Sequence, residues 1–204
     1  MSHRFRYGTI TPCTGLAAPD ARSGLSRWIN IRVTHLNTTL TSTELAVISE
    51  IEATSSLLRL VTRLTGLRFA AIAKVTESSW TACAVYDEVQ FGVEAGQQLK
   101  LETTLCNELR QHRQPILINN VSTDAVYAEH AIPKLYKFKS YFSFPIIFPN
   151  GDFFGTLCGL DILPAQLDGR DTVETLKVFC TLIASTLYAH YQLQEMQTAA
   201  LQEA

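Results

Sequence analysis

SYFSFPIIFPNGDFFGTLCGLD, residues 140–161, is the stretch that decides the fold. Ser140–Phe148 is an aromatic and β-branched run, Asn150-Gly151 is a turn dipeptide, and Phe153–Ile162 is a second run, so the spacing predicts a β-hairpin. Asn and Gly tolerate the positive φ that a tight hairpin needs. Gly155 and Gly159 in the return strand predict a close approach of neighbouring backbone or helix, because neither carries a Cβ.

Outward from the hairpin, a long helix is expected from Asp171, with Glu174 in its first turn. Val173, Leu176, Phe179, Ile183, Leu187 and Tyr191 recur on one apolar face. Its end, QLQEMQTAALQEA, offers Leu193 and Met196 but little else to bury. The reading is that residues 193–204 protrude and pair with another helix, most simply in a homodimer through Leu187, Tyr191, Leu193 and Met196. Upstream, Ile116–Val121 reads as a strand ended by Ser122, Thr123 and Asp124, and Thr103–His112 as a short helix ended by Pro115. Leu67–Thr76 and Trp80–Asp87 read as strands joined by a turn at Glu77-Ser78-Ser79. Residues 88–101 carry no clear period.

A helix is also expected from Thr41 to Gly66. Thr41 and Glu44 have capping-box spacing, Leu45, Ile48, Ile51, Leu58, Val61 and Leu64 recur at helical intervals, and Gly66 is a stop signal. Residues 1–40, with Gly8, Pro12, Gly15, Pro19 and Gly24, read as an irregular arm with room for a short helix, within which RYGTITP is expected as a strand that docks on the main domain. The fold class is therefore α+β (an α/β sandwich): a central antiparallel sheet flanked by helices, with long N- and C-terminal helices and a main domain over residues 41–192.

The bulk properties exclude several functions. Apolar residues make up 47% and charged residues 18% of 204, which suits a packed domain rather than disorder. A net charge of −2 with interspersed signs leaves no footprint for nucleic acid or an anionic membrane. No apolar run approaches the ~18–20 residues of a membrane span, and MSHRFRYGTI is not followed by a signal-peptide core. The five cysteines, Cys13, Cys83, Cys106, Cys158 and Cys180, are odd in number and widely spaced. That pattern lacks a CxxC or zinc-ligand pair and suits a reducing, cytoplasmic compartment.

LETTLCNELR, QPILINNVSTDAVYAEH, YKFKSYFSFPI and NGDFFGTLCGLD together resemble the GAF domains of bacterial sensor histidine kinases and phytochrome-like proteins. The similarity spans Glu44–His190. The resemblance implies a small-molecule pocket between the sheet and its connecting segments, and terminal helices that dimerise and relay a signal to an output domain. Neither a phospho-acceptor helix nor a glycine-rich nucleotide site stands in these residues, so the chain reads as a stand-alone regulator or an excised sensor fragment, with a downstream kinase or cyclase as the output partner the resemblance implies.

The resemblance places Cys106 beside that pocket, as a redox-sensing or adduct-forming thiol or as a small buried residue. Tyr127, His130, Tyr136, Phe138 and Tyr141 either wall an aromatic pocket, with His130 as its polar contact, or fill core while His130 caps a loop. The ligand and any cofactor are unknown at this level. Photosensory relatives attach a bilin through a Cys followed by His, and none of the five cysteines precedes a His. Cys13 lies only ~30 residues before the first expected helix, too few for an intervening domain of ordinary size. The GAF-fold methionine sulfoxide reductases carry paired cysteines near the segment equivalent to Cys106–Asp124. Here Cys106 has no cysteine partner in Gln111–Lys139. His112 and His130 lack metal-ligand spacing, and no G-x-S-x-G elbow exists. Catalysis is therefore not expected; a sensor, a ligand-free dimerisation scaffold and a bilin photoreceptor are the readings carried forward.

Overall fold

The computed structural model of the protein describes residues 52–202. The arm at 1–40, the capping box of Thr41 and Glu44, and the first apolar positions of the N-terminal helix lie outside them. Helix α1 spans Glu52–Thr65. Gly66 ends it as expected, at φ +72° with its N–H donating to the Thr62 carbonyl at 2.8 Å. Strands β1 (Phe69–Val75) and β2 (Ser79–Asp87) follow as an antiparallel pair.

The ambiguous segment resolves into a turn-rich loop and a short edge strand, β3 (Gln98–Lys100). Asp87 shapes the loop: its carboxylate accepts from the backbone N–H groups of Val89, Gln90 and Gly92 at 3.0, 2.8 and 3.1 Å. A 3₁₀ turn at Leu101–Thr103 leads to α2 (Cys106–His112), three residues shorter at its start than the sequence suggests. The helix stops before Pro115 is reached, because Arg113 adopts a left-handed conformation at φ 54°. Strand β4 covers only Ile116–Ile118, and Val121, expected within it, begins a 3₁₀ turn capped by Asn120. Helix α3 (Ala131–Tyr136) precedes the hairpin strands β5 (Ser140–Ile147) and β6 (Phe153–Asp161), and α4 runs from Arg170 to Gln202.

The hairpin turn differs in detail from the Asn-Gly expectation. Phe148 closes it, accepting from the Gly151 N–H at 2.8 Å and donating to the Asp152 carbonyl at 2.8 Å. Only Gly151, at φ +91°, takes a positive φ, so the loop is three residues long and Pro149 rather than a positive-φ Asn150 starts it.

The six strands form one sheet in the order β3-β2-β1-β6-β5-β4, with every pairing antiparallel. Both faces are covered. Leu58, Ile72, Phe142, Phe144, Leu157, Leu176 and Ile183 form one core, under α1 and α4. Phe69, Ala71, Trp80, Leu105, Leu109, Ile118 and Tyr141 form the other, under α2, α3 and their loops. This is the α/β sandwich read from the sequence.

The centre of the sheet is tight. A Cβ on Gly155 would sit 1.9 Å from the Ala73 carbonyl oxygen, and one on Gly159 would sit 2.5 Å from the Phe142 ring. At the end of the same seam, Arg68 Nε and Nη2 donate to Asp161 Oδ2 and Oδ1 at 2.9 and 2.6 Å. Backbone N–H groups of Arg68 and Leu163 donate to the same carboxylate at 3.0 and 2.9 Å. Burial would raise the Asp161 carboxyl, but these hydrogen bonds outweigh it and hold the group below the usual carboxylate range.

Gly155→Ala is expected to cost at least ~1–3 kcal/mol in denaturant unfolding, since backbone rather than a flexible side chain must move. Asp161→Asn is expected to destabilise the protein near neutral pH. The wild-type carboxylate's contribution is present above its unfolded pKa of about 3.9 and lost as pH falls through the lower folded value, so the gap between the two proteins should close below about pH 4. Urea midpoints measured across pH check the sign.

Candidate functional site

The six residues singled out as a pocket all lie on the α2/α3 face of the sheet. Cys106 opens α2, and it, Leu109 and the preceding Leu105 are pressed onto the strands, 2%, 0% and 1% exposed. Its sulfur meets a ring of buried hydroxyls: Thr156 Oγ1 at 3.3 Å, Tyr141 Oη at 3.4 Å and Ser143 Oγ at 3.8 Å. Strand alternation explains the ring, because Tyr141 and Ser143 on β5 are two residues apart and so share a face, as do Thr156 and Cys158 on β6. Ser143 stands directly opposite Cys158 in the β5–β6 register.

Cys158, two residues from Thr156 and opposite Ser143, lies on the same face and in the same core as Cys106. Interaction with the Cys158 thiol, with help from the Thr156, Tyr141 and Ser143 hydroxyls, opposes burial and pulls the Cys106 proton below the ordinary thiol range. The same interaction, together with burial, holds the Cys158 thiol well above it. Burial pushes Cys180, in the opposite core, up to about 12.

The aromatics arrange around this centre. Phe138 stacks on Tyr141 with ring centroids 5.4 Å apart, and both are buried. Tyr136 donates its hydroxyl to Thr103 Oγ1 at 3.2 Å. At the rim, Glu108 receives the Tyr127 hydroxyl at 3.2 Å and His130 Nε2 at 2.9 Å. His130 Nδ1 accepts from the Ile132 N–H at 3.3 Å, so the ring caps α3 while its other nitrogen donates to Glu108. The structure thus brings together Cys106, Phe138 and Tyr141 at depth, with Tyr127, His130 and Tyr136 outside them. Sequence reasoning missed Glu108, Ser143, Thr156 and Cys158. The i,i+2 pattern of β5 and β6 is the signal that puts the last three on one face.

On the other face, Leu187 is 2% exposed in the intrachain core and Tyr191 packs on Phe148, so these two of the four expected helix-pairing residues face their own sheet. Leu193 and Met196 are 52% and 70% exposed. Val178 and Leu182, not anticipated, extend that open stripe along α4, and Leu60 and Leu64 carry it onto α1. An apolar cleft of about 110 Å³ lies between the helices beside Leu57, Leu182 and Leu187. A wider groove of about 550 Å³ runs past the hairpin tip between Arg110, Arg113, Lys74 and Phe153. Among the described residues, no group of His, Cys, Asp or Glu is placed to hold a metal ion, and no helix is long and apolar enough to cross a membrane.

The model of the GAF domain family matches residues 49–187, about two-thirds of the sequence and all of the sheet. The chain belongs to the GAF domain family. Among solved structures, this GAF domain is similar to the GAF domain region of a membrane protein from Geobacter sulfurreducens, at 18% identity and a TM-score of 0.55, over 72% of this chain and 95% of that one. It is similar to a type II free methionine-R-sulfoxide reductase from Thermoplasma acidophilum, at 12% identity and a TM-score of 0.53, over 72% and 96%. It is also similar to the blue-light absorbing form of the PixJ GAF domain of Thermosynechococcus elongatus, at 10% identity and a TM-score of 0.53, over 78% and 92%. At these identities the likeness is one of fold. Comparison with curated protein sequences finds no match.

Thr156→Val, which keeps the shape and removes a buried hydroxyl, is expected to lower stability by about 0.5–1.5 kcal/mol. It should also raise the Cys106 thiol, read as a shift to higher pH in ultraviolet thiolate absorbance.

Proposed function

We propose that this GAF domain is a cytoplasmic regulatory sensor in signal transduction, without catalysis of its own. A small molecule or a redox change acts on the α2/α3 face, and the terminal helices relay it within a homodimer. The observation that supports this most directly is the two-sided role of β5 and β6. On one face they carry Tyr141, Ser143, Thr156 and Cys158, gathered around Cys106. On the other they carry Phe142, Phe144 and Leu157, in the same core as Leu176, Ile183 and Leu187 of α4. A change at the first face that favours one packing of these strands biases the seating of α4 on the second. Such a switch requires the ligand to bind the two packings unequally.

The partner proposed for the open stripe is a second copy of the chain. Val178, Leu182, Leu193 and Met196 lie along one helix, and an antiparallel or parallel pairing of two such helices covers them with like residues. A kinase or cyclase, of the kind found in two-component signalling, is the proposed reader of the helix movement. A ligand-free dimerisation scaffold is the second reading, favoured by how closely Cys106, Phe138 and Tyr141 are packed.

A thermal-shift screen of small metabolites, with native mass measured in parallel, separates the readings. A compound that raises Tm and changes the dimer supports the sensor. A stable dimer that no compound shifts supports the scaffold, and a visible absorption band in protein from bilin-supplied cells makes it a photoreceptor. Leu193→Asp and Met196→Asp are expected to weaken the dimer at least tenfold in Kd; variants that remain fully dimeric overturn the helix pairing.

A further inference from the structure

We propose that Cys106 and Cys158 are a redox couple, converted by a hydroperoxide into an intramolecular disulfide that fastens α2 to the central strand β6. This deepens the redox arm of the sensor reading and rests on it for its biological meaning, though the chemistry stands on this site alone. The two cysteines are 52 positions apart in sequence, yet α2 seats the Cys106 sulfur 3.3 Å from Thr156 Oγ1 and 3.8 Å from Ser143 Oγ, and Cys158 stands directly opposite Ser143, two residues from Thr156, on the same face and in the same core. The pair is absent from any reading of local motifs because one member starts a helix and the other lies mid-strand.

The surroundings suit thiolate chemistry at Cys106. Buried thiols in proteins are ordinarily inert because an apolar setting disfavours the thiolate. Here Thr156, Tyr141 and Ser143 present hydroxyls to the sulfur from 3.3 to 3.8 Å, a polar set that an apolar core does not otherwise need. A buried hydroxyl cluster costs stability unless each member is satisfied, and the Cys106 sulfur is the common partner of all three. The other described cysteines lack this. Cys83 turns toward the Thr81 carbonyl, and Cys180 lies in the core on the opposite face of the sheet.

The chemistry balances with a hydroperoxide as the two-electron oxidant. Cys106, as thiolate, attacks the terminal peroxide oxygen. The S–O bond forms, the O–O bond breaks, and the departing alkoxide or hydroxide takes up the proton that Cys106 released. Cys158 then attacks the resulting sulfenic sulfur; the S–S bond forms, the S–O bond breaks, and hydroxide leaves with the Cys158 proton as water. The two sulfurs lose two electrons and the peroxide gains them. Cys106 is only 2% exposed, so the oxidant enters during local opening of the seven-residue α2 rather than through the resting surface.

The test uses the full chain, treated with hydrogen peroxide under native conditions, alkylated in denaturant and digested with trypsin. Cleavage after Lys100 and Arg110, and after Lys139 and Arg170, isolates residues 101–110 and 140–170, each with one cysteine. The expected product is these two peptides joined, with two of the five thiols lost and both restored by a reductant. The link should be absent from Cys106→Ser and Cys158→Ser and kept in Cys83→Ala and Cys180→Ala. Brief oxidation of the wild-type chain with dimedone present should label Cys106 first, which keeps the test decisive if a serine variant fails to fold. Full alkylation of all thiols after oxidation, or a link that uses Cys13, Cys83 or Cys180 instead, overturns the proposal. A blank metabolite screen bears on the ligand arm alone and leaves the cross-link result unaffected.

Discussion

The whole structure hangs on the antiparallel seam between β1 and β6. These central strands pair from Phe69 opposite Leu160 to Lys74 opposite Gly155, and each then carries one half of the sheet. Two demands meet there. The backbones must approach closely, which Gly155 and Gly159 permit by lacking a Cβ. The seam's end must also hold a buried carboxylate, which the Arg68 fork and two backbone N–H groups satisfy. Half-exposed Arg68 keeps part of its hydration, so the pair avoids the full desolvation penalty that burying both charges would bring.

Because the seam is covered on both sides, the sheet separates two environments with different chemistry. The α1/α4 side is mainly a hydrocarbon core of Leu, Ile and Phe, in which Cys83 and Cys180 sit as small buried residues. The α2/α3 side places Ser143, Thr156 and two thiols among aromatic and aliphatic side chains. Polar groups at that depth specify a single arrangement more strictly than an apolar core does, since each has few partners that satisfy it. The rim network of Glu108, Tyr127 and His130 then ties α3 to α2 with contacts that water can partly replace.

What the sequence made legible was local. The hairpin at residues 140–161, the glycine stop at Gly66 and the close approach at Gly155 and Gly159 follow from alternation, turn chemistry and the missing Cβ. The extent of β4 and the edge strand β3 were not legible, because three-residue strands are defined by their neighbours rather than by any period of their own. Cys106 was found through resemblance and the aromatic residues through their clustering in sequence, and they do share one face. Cys158 was overlooked beside Cys106, since residues Gln111–Lys139 hold no cysteine and the proximity comes from α2 packing on β5 and β6. The open stripe at Val178 and Leu182 escaped notice for a related reason: α4 is apolar on two faces, and following the core-facing one hides the other.

The seam also fixes an order of events during synthesis. Phe69 and its partner Leu160 are 91 positions apart, so at roughly 5–20 residues per second β1 waits on the order of 5–20 s for β6 to be made. During that interval β1 and β2 have α1 alone to cover one face, while the other face and the β1 edge that β6 fills stay open. Such a ribbon is marginal alone and invites pairing with a neighbouring nascent chain. Lys74 puts a charge on the strand that waits, the kind of residue that discourages edge pairing, and the time between synthesis of β2 and of β6 sets how long that edge stays open.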